Sequence, residues 1–172
     1  METPITASFR WSPEELLSAE RIHMRYSPLG RKFRRAVFVT GPAAVLFGVA
    51  FWILRGFHPA GLFFVAMGAS LLVSPLLSRR MTLKHYAQRS DRDMLVCWEF
   101  YPDRIVSKTE ASSAMLEWRM ISRVLQTAHG CLLYPNDRAF HWLPIEAFRE
   151  SGDVQAFTAL AKSRVQRFDY VG

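Results

Sequence analysis

The sequence predicts a membrane α-helical hairpin joined to an α+β domain, in which an antiparallel β-barrel or sheet is followed by a C-terminal helix. Three observations lead there. Residues 36–77 carry a single charge, Arg55. The net positive charge of the chain lies beside that stretch. After residue 94, short β-rich runs alternate with turn signals until helical spacing takes over near residue 151. The chain therefore reads as 1–35, a strand and an amphipathic helix; 36–77, the hairpin; 78–93, a basic linker; and 94–172, the β-rich domain.

The first apolar segment, 36–54, has nineteen uncharged residues, and the second, 60–77, has eighteen. At 1.5 Å per residue each extends about 27–28 Å, close to the apolar thickness of a bilayer. A core helix of a soluble protein seldom lacks a polar face for so long. Only Arg55, Gly56, Phe57, His58 and Pro59 separate the segments, so they must run antiparallel. Some 35 mostly polar residues precede the first segment, unlike a cleaved signal peptide.

The chain has 172 residues and a net charge of +7. Residues 1–35 carry +3, 36–77 +1, 78–93 +3 and 94–172 zero. A neutral carboxy-terminal domain argues against a nucleic-acid partner and leaves membrane lipid as the expected one. Arg31, Lys32, Arg34 and Arg35 precede the first span, and Arg79, Arg80 and Lys84 follow the second. The positive-inside rule then places both termini in the cytoplasm and the loop outside, with Phe51 and Trp52 as interfacial anchors. Neither span contains an ionisable residue, which speaks against a proton relay or ion path.

Small residues recur every fourth position in each span: Thr40, Ala44 and Gly48, then Ala66, Ser70 and Ser74. Such rows let backbones approach, here within the hairpin or, alternatively, between copies in a homo-oligomer. Pro42 is read in the first turns of its helix and Pro75 near the end of the other, where disruption is least.

Before the hairpin, residues 6–11 read as a short strand. Ser12, Pro13 and Glu15 then form a helix start, with Ser12 as cap and Glu15 completing a capping box. Leu16, Leu17, Ile22, Met24 and Tyr26 give an imperfect apolar stripe, and Pro28 and Gly30 are expected to break the helix.

Beyond a charged linker at Ser90, Asp91, Arg92 and Asp93, strands are predicted at 94–100, 104–108, 114–118, 121–127, 131–134 and 139–143. Turn residues such as Pro102–Asp103, His129–Gly130 and Pro135–Asn136–Asp137 separate several of them. Ser151, Gly152 and Asp153 cap a closing helix that carries Val154, Phe157, Ala161 and Val165 on one side. This order fits a pleckstrin-homology-like barrel whose last helix covers an open end.

Trp118-x-x-Ile121-x-x-Val124, then Leu132-Leu133-Tyr134, then Trp142-Leu143-Pro144 with Ala147-Phe148, resembles the YcxB-like family. The resemblance implies a small bacterial inner-membrane protein with two spans and a domain of this kind. It treats Trp118, Ile121, Val124, Tyr134, Pro144 and Phe148 as packing and turn residues, and supplies no catalytic ones.

The residues themselves offer no chemistry. His23, His58, His85, His129 and His141 lack metal-ligand spacing with one another or with Cys97 and Cys131. Both cysteines sit in strand-like runs on the reducing side and are expected as packed thiols. No phosphate loop or nucleophile elbow is present. Glu99, Asp103, Glu117 and Glu146 are scattered. No cofactor and no catalysis are expected. The predicted role is a membrane-anchored interaction or regulatory module, binding a partner protein or inner-leaflet lipid through its cytoplasmic domain. The alternative is a membrane-associated enzyme whose site is dispersed in sequence.

Overall fold

The first strand, β1 (Ile5–Arg10), pairs antiparallel with β2 (Leu95–Phe100), a strand some ninety residues later. Ala7 faces Trp98 and Phe9 faces Val96 in that ladder. Hairpins extend the sheet through β3 (Arg104–Lys108) and β4 (Ser113–Glu117), in the order β1-β2-β3-β4. The computed structural model describes residues 4–88, 92–110, 112–137 and 139–171; Ser90 and Asp91 of the expected linker lie outside them. The chain forms two compact units: Met1–Ala19 with Ser90–Gly172, and Glu20–Arg89.

A second sheet has the order β7-β6-β5-β8. Strands β5 (Arg123–Thr127), β6 (Gly130–Asn136) and β7 (Ala139–Pro144) are antiparallel, with a register shift between Leu133 and Asn136. Helix α4 (Ser151–Arg164) follows, and β8 (Arg167–Val171) then pairs in parallel with β5. The two sheets share one core, with Phe100, Ile105, Ile121, Val124, Cys131, Leu133, Leu143, Phe157 and Ala161 all at most 1% exposed. Phe157 brings α4 into it, its ring 4.7 Å from Phe100 and 5.4 Å from Phe148.

The α+β class holds, but the barrel does not close: each sheet stays open. Two features account for the difference. The chain leaves β4 through a single 3-10 turn, Trp118–Met120, so Trp118 packs inward instead of continuing the strand and β5 starts at Arg123. The final helix is also not the last element. The short alternation Arg167, Phe168, Asp169, Tyr170 forms a further strand after it. Ser151 belongs to the first turn of α4 and the N-cap is Glu150, without a side-chain capping bond.

Helix α1 (Pro13–Tyr26) starts as expected, with the Ser12 hydroxyl accepting from Glu15 N–H at 3.1 Å. The Glu15 carboxylate accepts the indole N–H of Trp142 at 2.5 Å, which gives that buried ring its polar partner. Helix α2 (Pro28–Arg55) begins at the proline expected to break the chain. Pro at the first helical position is favourable, and Ser27 caps the helix by accepting from Gly30 N–H at 2.9 Å. Pro42 therefore lies in the interior of α2 instead of its first turns. Helix α3 (Pro59–Gln88) likewise runs through the basic stretch read as linker, since Arg, Lys and Leu all favour helix. In α3 the Ser74 hydroxyl donates to the Leu71 carbonyl at 2.7 Å. That carbonyl is the one that Pro75, lacking an N–H, leaves without its helical donor.

Candidate functional site

Helices α2 and α3 pack antiparallel on four glycines. A Cβ at Gly48 would lie 2.6 Å from the Gly61 carbonyl oxygen, and one at Gly68 would lie 2.6 Å from that of Gly41. The pairs are Gly41 with Gly68 and Gly48 with Gly61, seven residues apart on each helix. Of the rows expected to pack, Ala44 and Gly48 lie in this seam. Thr40, Ala66 and Ser70 face outward, and Ser74 is half-buried. The hydroxyls of Thr40 and Ser70 return to their own helix, at Ala36 O (2.6 Å) and Met67 O (2.8 Å). A period of four over-weighted hydroxyl residues; the signal that marks the seam is a pair of glycines spaced by seven in both segments.

Away from the seam the helices are apolar and bare. Phe38 is 67% exposed, Leu46 69% and Ile53 79%. Only 22% and 11% of the most apolar stretches are buried, whereas a core helix of a soluble domain is mostly buried. Both are long and apolar enough to cross a membrane, which points to membrane association. At the loop, Trp52 stacks on Phe57 and donates its indole N–H to the His58 carbonyl at 3.0 Å. The His58 ring accepts through Nδ1 from Ala60 N–H at 3.2 Å, at the start of α3.

The opposite end of the hairpin carries the charge. Arg31, Lys32, Arg34 and Arg35 on α2, and Arg79, Arg80 and Lys84 on α3, are all exposed. None makes an ion pair among the described residues. The one acid between residues 20 and 88, Glu20, accepts from the Thr82 hydroxyl at 2.9 Å.

In the domain, all six family-pattern residues are buried. Trp118 donates its indole N–H to the Tyr101 carbonyl at 2.8 Å, which ties the 3-10 turn to the β2–β3 turn. Tyr134 lies under the Arg123 guanidinium, 5.5 Å from its ring centre, and burial pushes its hydroxyl up to about 12 despite that charge. Burial likewise pushes the Cys131 thiol up to about 12, so it stays protonated and packs as an apolar group. Cys97 is half-buried on β2. Burial lowers the His141 ring, whose centroid is 5.5 Å from that of Trp98.

One charged cluster of the domain was not legible in the sequence. Asp169 on β8 accepts from Arg123 Nε at 2.6 Å and from Arg167 Nε at 3.1 Å. Partial burial alone would raise its carboxyl. The hydrogen bonds and charges of Arg167 and Arg123 outweigh that and hold it below its ordinary value. A depressed carboxylate stabilises the fold above its unfolded pKa of about 4, and that stability fades as pH falls through the lower folded value. Wild-type protein should therefore lose stability below about pH 4, and Asp169→Asn should be less sensitive there. At neutral pH the same substitution should cost about 1–3 kcal/mol, because Arg123 is left partly buried without its partner. Chemical denaturation across pH reads both effects.

Fold and geometry thus define a class: one unit is an antiparallel pair of membrane-length helices with a basic open end, and the other is an α+β domain of two open sheets. The family model described as YcxB-like protein matches residues 100–161, the stretch that contains every residue on which the resemblance was read. No curated protein and no solved structure matches the chain.

Proposed function

We propose that this is a two-span protein of the bacterial inner membrane, with both termini in the cytoplasm, whose hairpin holds a non-catalytic interaction or regulatory domain at the membrane. The domain, read as pleckstrin-homology-like, groups seven antiparallel strands as four and three before a helix. It binds a partner protein or an inner-leaflet lipid. The observation that carries this is the β1–β2 ladder. Strands hydrogen-bonded to each other lie on one side of a bilayer, so the helices between them cross it an even number of times. Seven cations at one end of the hairpin, against Arg55 at the other, put that side inward by the positive-inside rule.

Single cysteines test the arrangement. On a Cys97→Ser, Cys131→Ala background, a membrane-impermeant thiol reagent should label His58→Cys in intact cells. Asp137→Cys, in an exposed turn of the domain, should label only after lysis. Labelling of Asp137→Cys alone in intact cells inverts the topology, and labelling of both ends the hairpin reading.

A further inference from the structure

We propose that the basic collar at the open end of the hairpin is itself a binding surface for anionic phospholipid headgroups, distinct from any ligand of the sheet domain. This deepens the membrane reading above and rests on it.

The glycine pairs set the level of each side chain. Gly41 and Gly68 face each other, so positions counted outward from them on α2 and α3 can be compared. Arg35 is six residues beyond Gly41, about 9 Å, and Arg31 about 15 Å. Arg79 is eleven residues beyond Gly68, about 17 Å, and Lys84 about 24 Å. In the other direction Arg55 lies twenty residues from Arg35, about 30 Å, which equals the apolar thickness of a bilayer. Pro59 to Arg79 gives the same twenty residues on α3. The uncharged length of each helix therefore matches the hydrocarbon slab, and the cations begin where it ends.

Three properties make these cations a surface for anions. They are exposed, they make no ion pair among the described residues, and they cluster along each helix, four within residues 31–35 and three within residues 79–84. Like charges held close on rigid helices repel one another, and an external anion relieves that repulsion. Glu20 is occupied by Thr82 and supplies no compensation to the collar as an ion-pair partner. A headgroup phosphate is the anion present at this depth, and Arg offers it paired donors. Among the domain's cations, Arg104, Lys108, Arg119, Arg123 and Arg167 are each paired with a carboxylate, whereas Arg149, Lys162 and Arg164 are exposed with no ion pair among the described residues, so the α2 substitutions below decide which surface holds the lipid.

The test uses the full-length protein in nanodiscs of equal phosphatidylglycerol and phosphatidylethanolamine, with retained lipids counted by native mass spectrometry. Wild type should retain the anionic lipid in excess, on the order of tenfold, because each basic residue near an anionic surface contributes a several-fold factor. Removing the α2 charges together (Arg31→Gln, Lys32→Gln, Arg34→Gln, Arg35→Gln) should bring the ratio toward that of the bulk. Arg55→Gln, at the other end, should leave it unchanged. Raising ionic strength on the wild type gives the same information without substitutions, since exposed pairs are screened and the excess should shrink. Equal retention of the two lipids, or an excess indifferent to both the substitutions and salt, overturns the proposal. Failure of the wild type to enter nanodiscs of any composition overturns the membrane reading instead.

Discussion

Gly68→Ile is expected to break the hairpin seam, while Ala66→Ile, two residues away, leaves it intact. At Gly68 a Cβ would meet the Gly41 carbonyl at 2.6 Å, Val45 Cγ2 at 2.7 Å and Val45 N at 2.9 Å. Two of those atoms are backbone, which cannot swing aside as a side chain can, so the helices must separate. Overpacking of this kind costs about 1–3 kcal/mol and more where the backbone is the obstacle. Separation also forfeits the close contact that holds helices together where apolar surface gains nothing by leaving lipid. Ala66 faces outward, and a larger apolar side chain there meets solvent or lipid. The measurement is thermal or denaturant unfolding in detergent, with Gly48→Ile expected to behave like Gly68→Ile. A loss at Ala66→Ile matching that at Gly68→Ile would move the packing surface to the outward row.

Phe157→Ala is expected to cost about 3–5 kcal/mol, the range for deleting a buried aromatic ring. Phe157 is fully buried and its ring meets Phe100, Phe148 and Trp118 at 4.7, 5.4 and 6.5 Å. It joins α4 to β2, to the 3-10 turn at Trp118 and to Phe148, so the void cannot be filled by moving one element alone. Domains of this size are stable by roughly 5–15 kcal/mol, so the variant should unfold at much lower denaturant. Phe157→Leu should recover most of the loss. Tryptophan emission in full-length protein follows the transition, because Trp118 and Trp98 lie in that core. A Phe157→Ala midpoint equal to wild type would show that the two sheets hold together without the helix.

What the sequence revealed, and what it hid, divides by the range of the signal. The spans were legible because eighteen uncharged residues in a row leave few alternatives, yet their helical ends were not. Helix continues through Arg79, Arg80 and Lys84 and starts at Pro28, since helix propensity does not stop where hydropathy does. The hairpins β2–β3 and β6–β7 follow from turn residues between alternating runs. Closure of the sheets depends on how β4 and β5 leave the 3-10 turn at Trp118, and no local pattern records that. Strand β8 pairs in parallel with a strand forty residues earlier, and its anchor, Asp169 with Arg123, joins residues whose spacing suggests nothing. Glu15 looked like half of a capping box and serves Trp142, 127 residues away. The collar was legible residue by residue; that it makes no ion pair among the described residues needed coordinates.

The placement of β1 bears on biosynthesis. As the chain emerges, Ile5–Arg10 is made first and its partner Leu95–Phe100 only after both apolar helices. A chain that inserted one helix and not the other would leave the two strands on opposite faces of the bilayer. The sheet would then lack its edge, and Ala7 would be missing from between Trp98 and Phe148. Completing the sheet thus requires that Ile5–Arg10 and Leu95–Phe100 meet on the same side of whatever the helices between them cross.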